Sequence, residues 1–229
     1  PLGAASTQLT EVDYTTVRDA MVADAADEAD DAITASLPTL GQLQLLYPSG
    51  HGFDGKVLIG KANLLALGLS PGTLTDSSIT FNSDYPLDFD NSDGVTHNAY
   101  DFESVAAHEI GHALGFFSNV DLIDGQPGTY GPTPLDLYRF QNDTANDPST
   151  SAEFTTFPRG QTPDDDENTD DVDVEHAMST GASGDGNQAS HWKADEISGT
   201  YIGTMDPTLP NGTIEPITNA DLRALDLIG

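Results

Sequence analysis

Residues 101–117 read DFESVAAHEIGHALGFF. An acid at the head, no proline in the body and glycine at 115 spell one helix, with Asp101 as its N-cap and Gly115 near its end. Within it, His108-Glu109-Ile110-Gly111-His112 is an HExxH pattern. Four residues advance a helix by about 400°, which leaves the two imidazoles within about 40° of each other and about 6 Å apart along the axis. Two ring nitrogens can then meet at one ion. Glu109 lies about 100° around from His108, where its carboxylate reaches a water on that ion without taking a ligand position. At this chain's His and Glu content, chance supplies roughly 0.006 such patterns. The apolar neighbours Val105, Ile110, Leu114 and Phe116 further mark a packed helix rather than two surface histidines beside an acid.

The rest of the composition narrows what this helix can serve. The chain has 229 residues, with 7 Lys and Arg against 38 Asp and Glu, a formal net charge of −31. Such a surface repels nucleic acid and anionic lipid, and no basic stripe exists to neutralise phosphates. The absence of cysteine removes disulfides, thiol nucleophiles and Cys-ligated zinc, so His, Asp or Glu must hold any metal. The longest apolar stretch, KVLIGKANLLALGL at 56–69, is broken by Lys61 and Asn63, short of the ~20 residues of a membrane span. No charged-then-apolar leader is present in this chain.

Outward from the motif, residues 10–36 are expected to form one amphipathic helix, with Val17, Met21, Ala25 and Ala29 at four-residue steps and Pro38 as its stop. QLQLLY (42–47) alternates like a strand, ALGLSPG (66–72) closes a second short helix, and SSITFNS (77–83) reads as a strand. Residues 119–188 are rich in Pro, Gly, Thr and Asp, with islands such as LDLYRF and EFTTF, and are expected to be a long irregular insertion. ITNADLRALDLIG (217–229) is a closing helix, capped by Thr218 or Asn219, with Leu222, Leu225 and Ile228 on one face.

Two histidines leave a catalytic zinc site incomplete, because such sites normally have three protein ligands. HEIGHALGF (108–116), followed far downstream by SHWK (190–193) and GTMDP (203–207), resembles the metzincin zinc peptidases, and among them the leishmanolysin type and related bacterial secreted peptidases. Typical metzincins place the third histidine where this chain has Ser118; the leishmanolysin-like branch inserts a long segment and presents it in an SHW context, which His191 matches. The resemblance implies an α+β zincin fold: a twisted, mostly parallel sheet with an antiparallel edge strand, and a Met-turn at Met205 beneath the zinc. It implies one catalytic domain over 1–229, with an N-terminal lobe at 1–118 and the insertion and C-terminal lobe at 119–229. A secreted, bacterial-type protein follows from the same likeness. His176 in VEHAM and Asp121 compete as third ligand, and Glu196 keeps a later-helix acid in play; His191 alone is followed by Trp and a candidate Met-turn.

Zn²⁺ held by His108, His112 and His191 would leave a fourth position for water, with Glu109 as general base in the hydrolysis of a peptide bond. Tyr201, between His191 and Met205, is a candidate assistant. The substrate is expected to lie extended and pair with an edge strand at 77–83. The expected partner is a protein or peptide substrate, taken by a monomer. The acid run at 164–173 and Asp88, Asp90 and Asp93 are read as solvated loops, His51 and His97 as surface residues, and Ca²⁺ is expected on the acidic loops as counter-ion. The competing reading is a non-catalytic surface-binding or adhesin-like module stabilised by calcium and zinc, against which an intact Glu109 argues.

Overall fold

A computed structural model describes residues 1–27, 34–35, 37–47, 50–125, 127–139, 160–161 and 176–229. In chain order its elements are β1 (Gly3–Ser6), β2 (Leu9–Asp13), α1 (Tyr14–Asp24), α2 (Leu40–Leu46), β3 (Lys56–Gly60), α3 (Lys61–Ala66), β4 (Ser78–Phe81), β5 (Leu87–Asp88), β6 (Tyr100–Asp101), α4 (Phe102–Leu114), α5 (Val120–Gly125), α6 (Pro134–Leu137), β7 (Gly160–Gln161), β8 (His176–Ala177), α7 (Asp195–Ser198) and α8 (Asn219–Leu227). Helices and short strands are mixed, an α+β arrangement.

The expected helix over 10–36 begins only at Tyr14. Leu9–Asp13 alternates in burial and pairs antiparallel with β3, and α1 then buries Tyr14, Val17 and Met21. QLQLLY is helical rather than extended: Thr39 and Gln42 form a capping box that starts α2, and the box satisfies two backbone donors that a strand would leave for a neighbour. SITF is a strand as expected. The anticipated mostly parallel sheet is not what the described residues build. They form four two-stranded pairs, of which only β5–β6 is parallel. β3 stops at one strand partner because its other edge meets the segment at Gly131–Pro132, where Leu58 N–H donates to Pro132 O at 2.8 Å. A proline has no N–H with which to extend a ladder.

α4 carries the cap the sequence indicates: Asp101 accepts from Ser104 N–H at 2.9 Å, and Gly115 ends the helix at φ 122°. Val105 and Phe116 are buried, whereas Ile110 and Leu114 are exposed. α8 starts from a capping box of Thr218 and Asp221. Its buried face is Ala220, Asp221, Ala224 and Leu227, and Leu222 points outward. Of the expected face, Ile228 is buried and Leu225 packs against the core, while only Leu222 fails; Asp221 joins the buried side, drawn inward by the donors described below.

One apolar core joins Tyr14, Val57, Ile59 and Phe116 to Leu135, Tyr138, Met178, Trp192, Met205 and Leu227. The first part of the expected insertion is therefore core: α6 follows a capping box of Thr133 and Asp136 and buries Leu135 and Leu137. EFTTF and the acid run at 164–173 lie outside the described residues.

Candidate metal centre

Three imidazoles converge beneath α4. One ligating atom each from His108, His112 and His191 lies within 4.8 Å of the other two, and the Nε2 atoms of His108 and His112 stand 3.1 Å apart. The opposite nitrogen of every ring donates to a main-chain carbonyl. His108 Nδ1 meets Thr204 O at 2.8 Å, His112 Nδ1 meets Phe116 O at 2.6 Å and His191 Nδ1 meets Gln188 O at 3.1 Å. With the proton on Nδ1, each Nε2 is a bare lone pair. Two lone pairs at 3.1 Å repel each other unless a cation lies between them, so this donor set fits a metal ion. Burial also holds the rings neutral: His108 is lowered, His112 falls to about 4 and His191 to about 3, the last two helped by neighbouring imidazoles.

Helix geometry supplies the first two rings; the third depends on distant anchors. Asp121 is not in the histidine group. Its carboxylate accepts from Ala182 N–H at 2.7 Å and Ala189 N–H at 2.8 Å, clamping the loop that leads to His191. Arg139, fully buried and ion-paired with Asp136, donates to Ser179 O and Ala189 O on the same loop. Ser118, where a typical metzincin has its histidine, donates its N–H to Ser190 Oγ at 2.9 Å and its hydroxyl to Asp136. His176 lies on β8 with its ring 6.0 Å from that of Trp192, and Glu196 groups with Asp195 and Asp206 instead.

Met205 is fully buried in a turn directly under α4: a side chain at Gly111 would run into its sulfur. Met205 O accepts from Trp192 N–H at 2.9 Å, and Thr204 O takes the His108 proton. Asp221 ties this turn together. Its carboxylate accepts from Trp192 Nε1 at 2.8 Å, Thr204 N–H at 2.8 Å, Met205 N–H at 3.3 Å and Thr218 N–H at 2.8 Å. Sequence reasoning passes over Asp221, although a T-x-x-D box at 218–221 marks it as a capping residue with oxygens to spare.

Glu109 is buried beside the three rings in a cavity of about 550 Å³. Burial raises its pKa, opposed by the nearby Ala5 backbone and the Pro1 amino group. The strand brings Gly3 so close that a Cβ there would stand 2.7 Å from Glu109 Oε1. Tyr201 is not available to the cavity: its hydroxyl donates to Pro216 O at 2.8 Å. Asp88 and Asp90 accept from their own loop, with their pKa values lowered by those bonds. Among the described residues, the one acidic group that could hold a cation is Asp195, Glu196 and Asp206. His97 is exposed, whereas both ring nitrogens of His51 are buried without a hydrogen bond.

Residues 36–121 match the family model described as Matrixin, a peptidase family. The match covers His108, Glu109 and His112 and ends before the loop that carries His191. It supports a metzincin-type zinc metallopeptidase, with an α+β fold and zinc-dependent peptidase activity. Neither the curated proteins nor the solved structures yield a match to the chain. Among the described residues, no helix is long and apolar enough to cross a membrane.

Proposed function

We propose that this chain is a secreted zinc endopeptidase with the distal-histidine arrangement of the leishmanolysin-like metzincins, in which His108, His112 and His191 hold the ion and Glu109 is the base. The observation that carries the reading is the commitment of all three Nδ1 protons to backbone carbonyls, which leaves three lone pairs facing one point. Bound zinc supplies Lewis acidity toward the scissile carbonyl and toward water. Glu109 takes the proton that water loses on attacking the carbonyl carbon and passes it to the leaving amine; its burial raises its basicity for that task.

The strand expected to receive the substrate, 77–83, is covered along one edge by β1, in the register Gly3 to Phe81 and Ser6 to Ser78. Asn82 N–H donates to Leu2 O at 2.8 Å, so by antiparallel alternation Gly3 and Ala5 turn their backbone groups away from β4. Pro1–Ala5 line the cavity. The substrate lies extended along this cavity beside β1, and since Glu109 already stands against Gly3 and Ala5, its main chain pairs only with the backbone groups that Glu109 leaves open.

Glu109→Gln tests the assignment. The variant should melt as wild type and retain one zinc per chain by elemental analysis, while kcat on a denatured protein substrate falls by at least ~10²-fold. Retention of more than about a tenth of kcat removes Glu109 from the role of base. Zinc-loaded wild-type protein that cuts nothing in a broad peptide library favours the surface-binding module instead.

A further inference from the structure

One wall of the cavity beside the histidines is built of carboxylates. Asp206 and Glu215 line it with Ser104, Pro207 and Thr208, and no Lys or Arg among the described residues does. Asp206 is buried but well supplied: it accepts from Asp195 N–H at 2.9 Å and from Thr208 N–H and Oγ1, each at 2.9 Å. Glu196, next to it, accepts from Thr208 Oγ1.

Glu215 differs. Its backbone N–H donates to Ser104 Oγ at 2.9 Å, and Ser104 Oγ in turn donates to Asp101 at 2.6 Å, which pins residue 215 to the head of α4. Its carboxylate has no hydrogen bond or ion pair among the described residues, although the residue is only 8% exposed. A buried carboxylate without a donor is costly when charged and is normally paired. Burial and the neighbouring Asp206, Asp195 and Glu196 accordingly push its pKa up to about 8. A cation would lower that cost by holding the carboxylate charged, and the cavity that Glu215 lines, which also contains Glu109, the three histidines and Pro1, is open beside it.

We infer that Glu215, with Asp206, forms a pocket for a cationic side chain of the substrate, Lys or Arg, at a residue adjoining the bond that is cut. This rests on the peptidase reading for its substrate but not for its binding chemistry. A charge-assisted bond to a buried carboxylate is worth about 1.5–3 kcal/mol, which corresponds to a preference of about 10- to 150-fold over an uncharged side chain of similar length.

Zinc-loaded protein is titrated with the Nα-acetyl amides of arginine, lysine and norleucine. In parallel it is given peptides that differ only by Arg, Lys, norleucine or Glu on either side of the cut. The two cationic amides should bind at least about tenfold more tightly than the norleucine amide. kcat/KM should follow the same order, and Glu215→Gln, checked for unchanged melting, should bring both ratios to about one. Equal binding of the three amides to wild type, or an order that survives in Glu215→Gln, overturns the inference. So does Ca²⁺ displacing the amides from wild type at micromolar concentration, since the carboxylates then serve a metal. If the amides keep their order and no peptide is cut, the pocket stands and the peptidase reading falls.

Discussion

The two sides of the candidate metal centre are built by different means. α4 presents His108 and His112 through local geometry alone: a capped helix with a four-residue spacing places both rings on one face. The loop 178–192 presents His191 through contacts that span the chain, with Asp121, Arg139 and Asp221 each holding it from a different element. The helix side is thus set by its own backbone ladder. The loop side is set by the half-buried Asp121, the buried Arg139 and the buried Asp221, through bonds to its main chain and to the Trp192 ring, so its position is only as secure as those bonds.

The sharpest break of this contrast is in zinc stoichiometry. His191→Ala should lose tightly bound zinc and hydrolysis together, whereas Asp121→Ala should retain one zinc per chain with affinity weakened about 10- to 100-fold, the usual effect of losing a supporting residue. His176→Ala should leave the metal alone. Full zinc affinity in His191→Ala would show that the loop is dispensable and return the third position to another residue.

Next in size is Asp221→Ala, which strands the Trp192, Thr204, Met205 and Thr218 donors in a buried setting. It should cost about 3–4 kcal/mol, or about 10 °C in Tm. Calorimetric melting decides it, and a loss under about 1 kcal/mol means that the turn is held by packing rather than by the carboxylate.

The smallest effect is expected on the helix side. Asp101→Ala removes the α4 cap at a cost of about 1 kcal/mol, because the remaining turns keep the two histidines in register. Zinc stoichiometry should not change. If this variant loses zinc as His191→Ala does, the claimed independence of the helix side is wrong.

The same division explains what was legible in the residues themselves. α4, α8 and the strand at 78–81 announce themselves through caps and period, which are properties of neighbours in sequence. QLQLLY alternates as a strand does, but the Thr39–Gln42 box, also a property of near neighbours, outweighs that alternation. The inward turn of Asp221 and the clamp by Asp121 are harder to read in that way. Asp121 acts on donors that lie 61 and 68 residues away, and nothing in local patterning separates it from the many acids that face solvent; the box at 218–221 marks Asp221 as a cap but not as the residue that gathers Trp192, Thr204 and Met205. The β1 strand beside Glu109 is similar: its pairing with β4 joins Gly3 to Phe81, and neither partner's composition names the other.

The fit of Gly111 over the Met205 sulfur has a consequence for how this chain can vary. A glycine inside a helix sacrifices roughly 1 kcal/mol of intrinsic propensity against alanine, and ordinary selection for stability would replace it. Here the vacant volume at 111 belongs to the methionine below, so the two positions share one allotment of space between them. Drift at either is tied to the other: a larger residue on the helix demands a smaller one in the turn, and the pair can change only together.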